Sequence, residues 1–130
     1  MRVALALSKE AEETARRSRM PQPQSFALSG QAQALVRLGR LEEAVRCSTR
    51  AVGLLATLPQ RVGIEEILFA HARIMLTAYG REEASPFVEM AYEEVQRKAG
   101  LIRDPGLRKS YLNVPPASDI VALTFDLAMD

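Results

Sequence analysis

The sequence predicts an all-α fold of about seven antiparallel helices, stacked as successive hairpins. Three observations predict it. Apolar residues recur at i, i+3, i+4 and i+7 over most of the chain. The pairs Gly39-Arg40 and Gly80-Arg81 stand between amphipathic stretches, and links so short force neighbouring helices to be antiparallel. Aromatic residues are only 5% with no Trp, while Ala and Leu abound, which favours closely packed helices over a β-sandwich or barrel.

The first helix is expected over about Arg2 to Arg19. The breaker pair Pro21 and Pro23 follows it. A second helix runs from about Gln24 to Leu38, with Leu28, Ala32, Leu35 and Leu38 as its stripe and Gly39 closing it as a C-cap. The third carries Leu41, Ala44, Val45, Ser48, Ala51, Val52, Leu55 and Leu58 on one face and is expected to stop at Pro59. The fourth, about Val62 to Tyr79, aligns Ile64, Ile67, Leu68, His71, Ile74, Met75 and Ala78, and Gly80 closes it. The fifth repeats the layout of the third with Ala84, Phe87, Val88, Ala91, Val95 and Ala99. Glu42-Glu43 and Glu82-Glu83 occupy first turns, where acids face the positive end of the helix dipole.

Asp104 reads as an N-cap and Pro105 as a first helical residue, so a short sixth helix is expected to lay Leu107, Tyr111 and Leu112 on the fifth. Asn113 and two prolines turn the chain. The seventh, about Ala117 to Met129, packs Ile120, Val121, Leu123, Leu127 and Ala128, with Asp119, Asp126 and Asp130 outward.

A length of 130 residues fits one domain with a sizeable core. A formal net charge of +1 provides no global field for nucleic acid or membrane binding. The single cysteine, Cys47, makes no internal disulfide and fits a reducing cytosol. The opening MRVALALSKE has too short an apolar run for a signal peptide, and no stretch approaches the roughly 18 apolar residues of a membrane span.

The third and fifth helices are copies at an offset of 40: Ala44 and Ala51 recur as Ala84 and Ala91, each pair preceded by Gly-Arg and Glu-Glu. One further step back falls on Ala4 and Ala11, also alanines seven apart. Small residues recurring on one helix face let a neighbouring helix approach closely.

Gly39, Leu41, Ala44 and Ala51, with Ala32 and Leu35 on the preceding helix, resemble the pattern of a tetratricopeptide repeat. Gly80, Ala84 and Ala91 resemble a second copy. That copy lacks one residue between Gly80 and Ala84, so it has no counterpart of Leu41, and it carries Arg73 where the register expects a small residue. The period of 40 exceeds the roughly 34 of the standard repeat and is similar to longer repeats in helical sensor regions of bacterial regulators. The segment IRDPGLRKSYLNVP, Ile102 to Pro115, resembles the C-terminal end of large bacterial signalling proteins in which kinase or nucleotide-cyclase and AAA-type ATPase domains precede a tetratricopeptide array.

The resemblance implies a right-handed tetratricopeptide-like solenoid. Residues 1–20 would be helix B of an incomplete repeat, 21–60 a repeat, 61–101 a divergent repeat, and 102–130 a pair of capping helices. With no helix A ahead of residues 1–20, the chain is expected to be a fragment or divergent terminal piece of a longer array. The resemblance also implies a cytoplasmic, non-catalytic protein–protein interaction or scaffold module with no cofactor or metal. Its partner is expected to be a protein or peptide, held on a concave groove that the register assigns to Ser29, Gln33, Arg37, Arg73 and Thr77. Two arginines there suit an acidic peptide or a C-terminal carboxylate, and the same side chains equally fit a plain solvated surface.

Other residues read as structural. His71, the only histidine, falls on an apolar stripe and reads as core. Cys47 with His71 as base would be a nucleophile pair, but nothing else in the sequence supports it, and Cys47 reads as a small filler. The pairs Glu42-Glu43, Glu65-Glu66, Glu82-Glu83 and Glu93-Glu94 diverge by about 100° on a helix and read as solvated acids rather than acid–base machinery. Arg16, Arg17 and Arg19 complement a helix C-terminus. Gly30 and Gly53, inside helices, mark close backbone packing. Two alternatives accompany the binding-module reading. One is a homodimer burying Leu5, Leu7 and Ala11 of the first helix. The other is a small helical enzyme using His71.

Overall fold

The computed structural model describes residues 1–58 and 61–129; the expected stop at Pro59 and the outward Asp130 lie outside them. The described residues form seven α-helices and no strand: α1 Arg2–Arg17, α2 Pro21–Arg37, α3 Leu41–Gly53, α4 Ile64–Tyr79, α5 Arg81–Leu101, α6 Pro105–Leu112 and α7 Ala117–Ala128. A 3₁₀ turn at Leu55–Thr57 extends α3, so its apolar stripe outlasts its α-helical hydrogen bonding.

Pro21 and Pro23 start α2 rather than break the chain ahead of it. Proline lacks an N–H, but first-turn N–H groups have no intrahelical acceptor anyway, so both rings fit there. Gly39, at φ +77°, ends α2: Arg40 N–H donates to Leu35 O at 2.9 Å and Gly39 N–H to Val36 O at 3.0 Å, the reciprocal pair that closes a helix through a left-handed residue. The α1–α2 turn uses the same hydrogen bonds without a glycine. Arg19 takes φ +54°, with Met20 N–H on Ala15 O and Arg19 N–H on Arg16 O. Asp104 caps α6 by accepting from Leu107 N–H at 3.0 Å.

Each helix packs on the next along the order α1, α2, α3, α4, α5, with α4 on α5 the most extensive pairing. α2 also touches α4, so alternate helices meet across the layer, while α6 and α7 pack on α5. Leu28 clusters with Ile67 and Leu35 with Ile74, so α2 and α4 run parallel. Three apolar clusters run through the stack. Leu5, Ala32, Leu35, Ala44 and Ile74 join α1 to α4. Leu28, Ala51 and Ile67 form its middle. Ile64, Leu68, Ala91, Val95, Ala117 and Ile120 join α4, α5 and α7. Ala32, Ala44, Ala51, Ala84 and Ala91 are all 0% exposed.

The first alanine pair behaves otherwise. Ala4 and Ala11 are exposed, and α1 instead buries Leu5, Glu12 and Ala15 against α2. Leu5 and Glu12 stand one position after the two alanines, so the buried face of α1 is rotated by about 100° from the one the repeat register requires. Gly30 faces α1 closely, since an added Cβ would lie 3.2 Å from Ser8 Oγ. Gly53 does not mark close packing, since an added Cβ would meet nothing within 4 Å. Leu107, expected on α5, is 64% exposed; Tyr111 and Leu112 do pack into the α4–α5–α7 cluster. Ala128 is exposed as well.

Candidate functional site

A cleft of about 480 Å³ opens between the parallel helices α2 and α4. Gln33, Arg37, Arg73 and Thr77 line it, together with Val36, Glu66, Phe69, Ala70, Ile74, Pro115 and Pro116. Four of the five side chains assigned to a groove therefore converge. Ser29 does not belong with them: it is 5% exposed, and its hydroxyl accepts a hydrogen bond from Gln33 Nε2 at 3.3 Å. The α6–α7 turn supplies the side of the cleft formed by Pro115 and Pro116. Helix periodicity gives no signal for that wall, because it depends on how α7 folds back on α5.

The cleft's polar groups are poised rather than spent. The Arg73 guanidinium lies 5.7 Å from the Phe69 ring centroid, over a face that attracts cations. Arg37, Arg73 and Glu66 have no ion-pair partner among the described residues. Thr77 donates its hydroxyl to Arg73 O at 3.0 Å, so it faces the cleft as an acceptor.

The histidine is core, as its stripe position implies. His71 is 2% exposed, its Nδ1 lies 2.7 Å from Ser48 Oγ, and its ring meets Phe87 edge-on at 4.3 Å. Burial lowers the imidazole pKa below its ordinary 6.5. Ser48 is also only 2% exposed, so this hydroxyl–imidazole pair has no opening to solvent. Cys47 packs with Leu35 and Ala44, and burial pushes its thiol pKa upward, opposite to what a nucleophile needs. Among the described residues no group of three or more His, Cys, Asp or Glu side chains could hold a metal ion.

Two carboxylates expected in solvent are buried instead. Glu94 is 3% exposed; Arg61 Nε reaches it at 2.9 Å from the segment ahead of α4, and Arg97 pairs with it along α5. Burial works to raise the Glu94 carboxyl, but hydrogen bonds and charge from Arg97 and Arg61 outweigh it and hold the pKa below 4.5. Glu65 is 5% exposed, bonded to Lys98 Nζ at 2.7 Å and accepting from the Tyr111 hydroxyl at 3.2 Å. Burial first, then the Glu65 charge and hydrogen bond, push Tyr111 up to about 12. The network pins α4, α5 and α6 together. Its sequence signal was faint: Glu65 and Glu94 sit next to stripe residues Ile64 and Val95, within reach of facing cations.

A third buried acid, Glu12, lies on the α1 inner face and accepts from Gln24 Nε2 at 2.9 Å, with Arg16 at 3.6 Å and Arg50 at 3.7 Å. Arg17 pairs with Glu13 at 2.6 Å, so part of the basic end of α1 is neutralised within its own helix. No described helix is long and apolar enough to cross a membrane. No family model, curated protein or solved structure matches the chain.

Proposed function

We propose that this chain is a non-catalytic protein–protein interaction or scaffold module, a tetratricopeptide-like solenoid whose α2–α4 cleft receives an acidic segment of a partner. The convergence of Arg37 and Arg73, both without an ion-pair partner among the described residues, on one cleft carries the reading. Arginine presents a planar fork of donors suited to a carboxylate, and Phe69 and Ile74 supply apolar wall beside it. The solenoid is supported by helical hairpins repeating 40 residues apart, with Ala44, Ala51, Ala84 and Ala91 all 0% exposed. A place at the end of a bacterial signalling protein rests on the Asp104–Pro115 segment, whose N-cap and Tyr111 anchor give that motif a structural role.

The test is a titration of the capped peptide Gly-Asp-Leu-Leu-Gly followed by backbone amide shifts. Shifts confined to Gln33, Arg37, Arg73 and Thr77, and lost in the Arg37→Ala/Arg73→Ala variant, are expected. Shifts that persist in the double variant would remove the cleft from consideration.

A second reading, self-association through α1, is favoured by one observation. Val3 is 73% and Leu7 62% exposed, and Ala11 lies on the same side, whereas Leu5 is buried. Mass measured by light scattering across a concentration range decides it. A dimer lost in Val3→Lys/Leu7→Lys supports the α1 interface, and a monomer at every concentration rejects it.

A further inference from the structure

The helical stack is electrically polar along its length. Residues 1–63, which hold α1 to α3, carry ten Lys and Arg against five Asp and Glu. Residues 64–130, which hold α4 to α7, carry seven against eleven. The formal charge is therefore +5 on one half and −4 on the other, although the whole chain is only +1.

The two end helices carry that contrast onto the faces they leave open. α1 packs extensively on α2 alone, and α7 on α5 with a smaller contact to α6. Val3 and Leu7 stand two positions either side of buried Leu5, about 200° round the helix, and are 73% and 62% exposed. On α7, Phe125 and Met129 stand about 140° and 180° from buried Ile120, and are 57% and 82% exposed. Among the exposed charges of α1, the four cations Arg2, Lys9, Arg16 and Arg17 outnumber Glu10 and Glu13. α7 has no Lys or Arg, and its Asp119 and Asp126 are exposed. Each end thus joins an exposed apolar pair to a net charge, positive at α1 and negative at α7.

We propose that copies of this chain stack head to tail, the outer face of α1 on one copy packing against the outer face of α7 on the next. Charge selects this pairing from the three that two apolar faces allow. An α1–α1 contact would bring together two halves of +5, and an α7–α7 contact two of −4, whereas α1 on α7 opposes unlike ends. A contact between two different faces leaves one of each kind free on a dimer, so association does not stop at two copies. The inference rests on the self-association reading above, changes its partner surface from a second α1 to α7, and does not involve the cleft.

The test uses two variants that remove the apolar pairs without adding charge, Val3→Gln/Leu7→Gln and Phe125→Gln/Met129→Gln. Mass is measured by light scattering over a range of concentrations at low salt. The unaltered chain should pass the mass of a dimer as concentration rises, and each variant alone should stay a monomer. An equimolar mixture of the two variants should form a one-to-one dimer and stop there, because each supplies the face the other lacks. Raising the salt from about 0.02 M to about 0.5 M should weaken all of this association several-fold. A dimer that survives in Phe125→Gln/Met129→Gln and is lost in Val3→Gln/Leu7→Gln would overturn the head-to-tail contact and leave the α1–α1 reading standing. Association that survives in Val3→Gln/Leu7→Gln, or a mixture of variants that stays monomeric, would also overturn it. A monomer at every concentration of the unaltered chain would overturn both readings.

Discussion

Ser48 Oγ lies 2.7 Å from His71 Nδ1, joining α3 to α4 by a hydrogen bond between two side chains that are each only 2% exposed. Burial disfavours the imidazolium, so the folded-state pKa of His71 is below the ordinary 6.5. The unfolded chain then binds more protons between those two values, and stability falls as pH drops below 6.5. Urea midpoints measured between pH 7.5 and 5.5 should decline toward the acid side. The His71→Leu/Ser48→Ala variant, which removes both polar partners together, should lose that slope. A slope unchanged in the variant would assign it to another group. Glu94 acts in a lower window: its depressed pKa contributes stability above 4.5 that is lost as pH falls further.

The Glu65–Lys98 pair makes a different demand. Glu65 is nearly sealed, and the Lys98 side chain is 22% exposed. Removing the cation alone strands a buried carboxylate, so Lys98→Met should cost about 2–4 kcal/mol. Replacing both, Glu65→Leu with Lys98→Met, should recover most of that, because an apolar pair of similar volume leaves only the Tyr111 hydroxyl short of a partner. Urea unfolding of the two variants decides the point. Equal losses in both would mean that packing rather than charge holds this corner.

The alanines separate real repeat positions from coincidence. Ala44 and Ala84 are 0% exposed between helices, so Ala44→Trp and Ala84→Trp should each cost about 1–3 kcal/mol or more by overpacking. Ala4 and Ala11 face outward, so the same change there should stay within about 0.5 kcal/mol. Thermal unfolding of the four variants tests the assignment. A large loss at Ala4 or Ala11 would place α1 in the repeat register after all.

What was legible in the sequence followed from periodicity and turn chemistry. Helix count, the Gly39 and Gly80 turns, the Asp104 cap and the buried faces of α2 to α5 all depend on local spacing, which a sequence displays directly. Four cleft residues, Gln33, Arg37, Arg73 and Thr77, were reached instead through the register that the tetratricopeptide resemblance implied. The misses share a cause. Ala4 and Ala11 were assigned by extrapolating a period, but α1 is oriented by its contacts with α2, at Gly30 and Gln24. Glu12, Glu65 and Glu94 were invisible as buried groups because their burial depends on cations contributed across the fold by Arg50, Lys98 and Arg61. Pro115 and Pro116 join the cleft only through the return of α7 onto α5.

Two left-handed positions give the sharpest backbone contrast. Arg19 adopts φ +54° in the turn after α1, where Gly39 adopts φ +77° after α2 with equivalent hydrogen bonds. A side chain in that region costs about 1–2 kcal/mol, so Arg19→Gly relieves strain. Part of the gain is returned as the greater freedom of glycine in the unfolded chain, about 0.4–1 kcal/mol. The net expectation is a stabilisation of up to about 1 kcal/mol, obtained while removing an exposed charge. Gly63 poses the opposite case: φ is +77°, and an added Cβ would lie 2.1 Å from the Phe26 ring. Gly63→Ala should therefore lose more than the strain alone, on the order of 2–4 kcal/mol, because backbone cost and overpacking add. Combining Gly63→Ala with Phe26→Ala removes the clash but keeps the strained φ. If the double variant recovers part of the loss, the ring contact is what fixes the start of α4 against α2. If it recovers nothing, the left-handed backbone alone makes residue 63 a glycine.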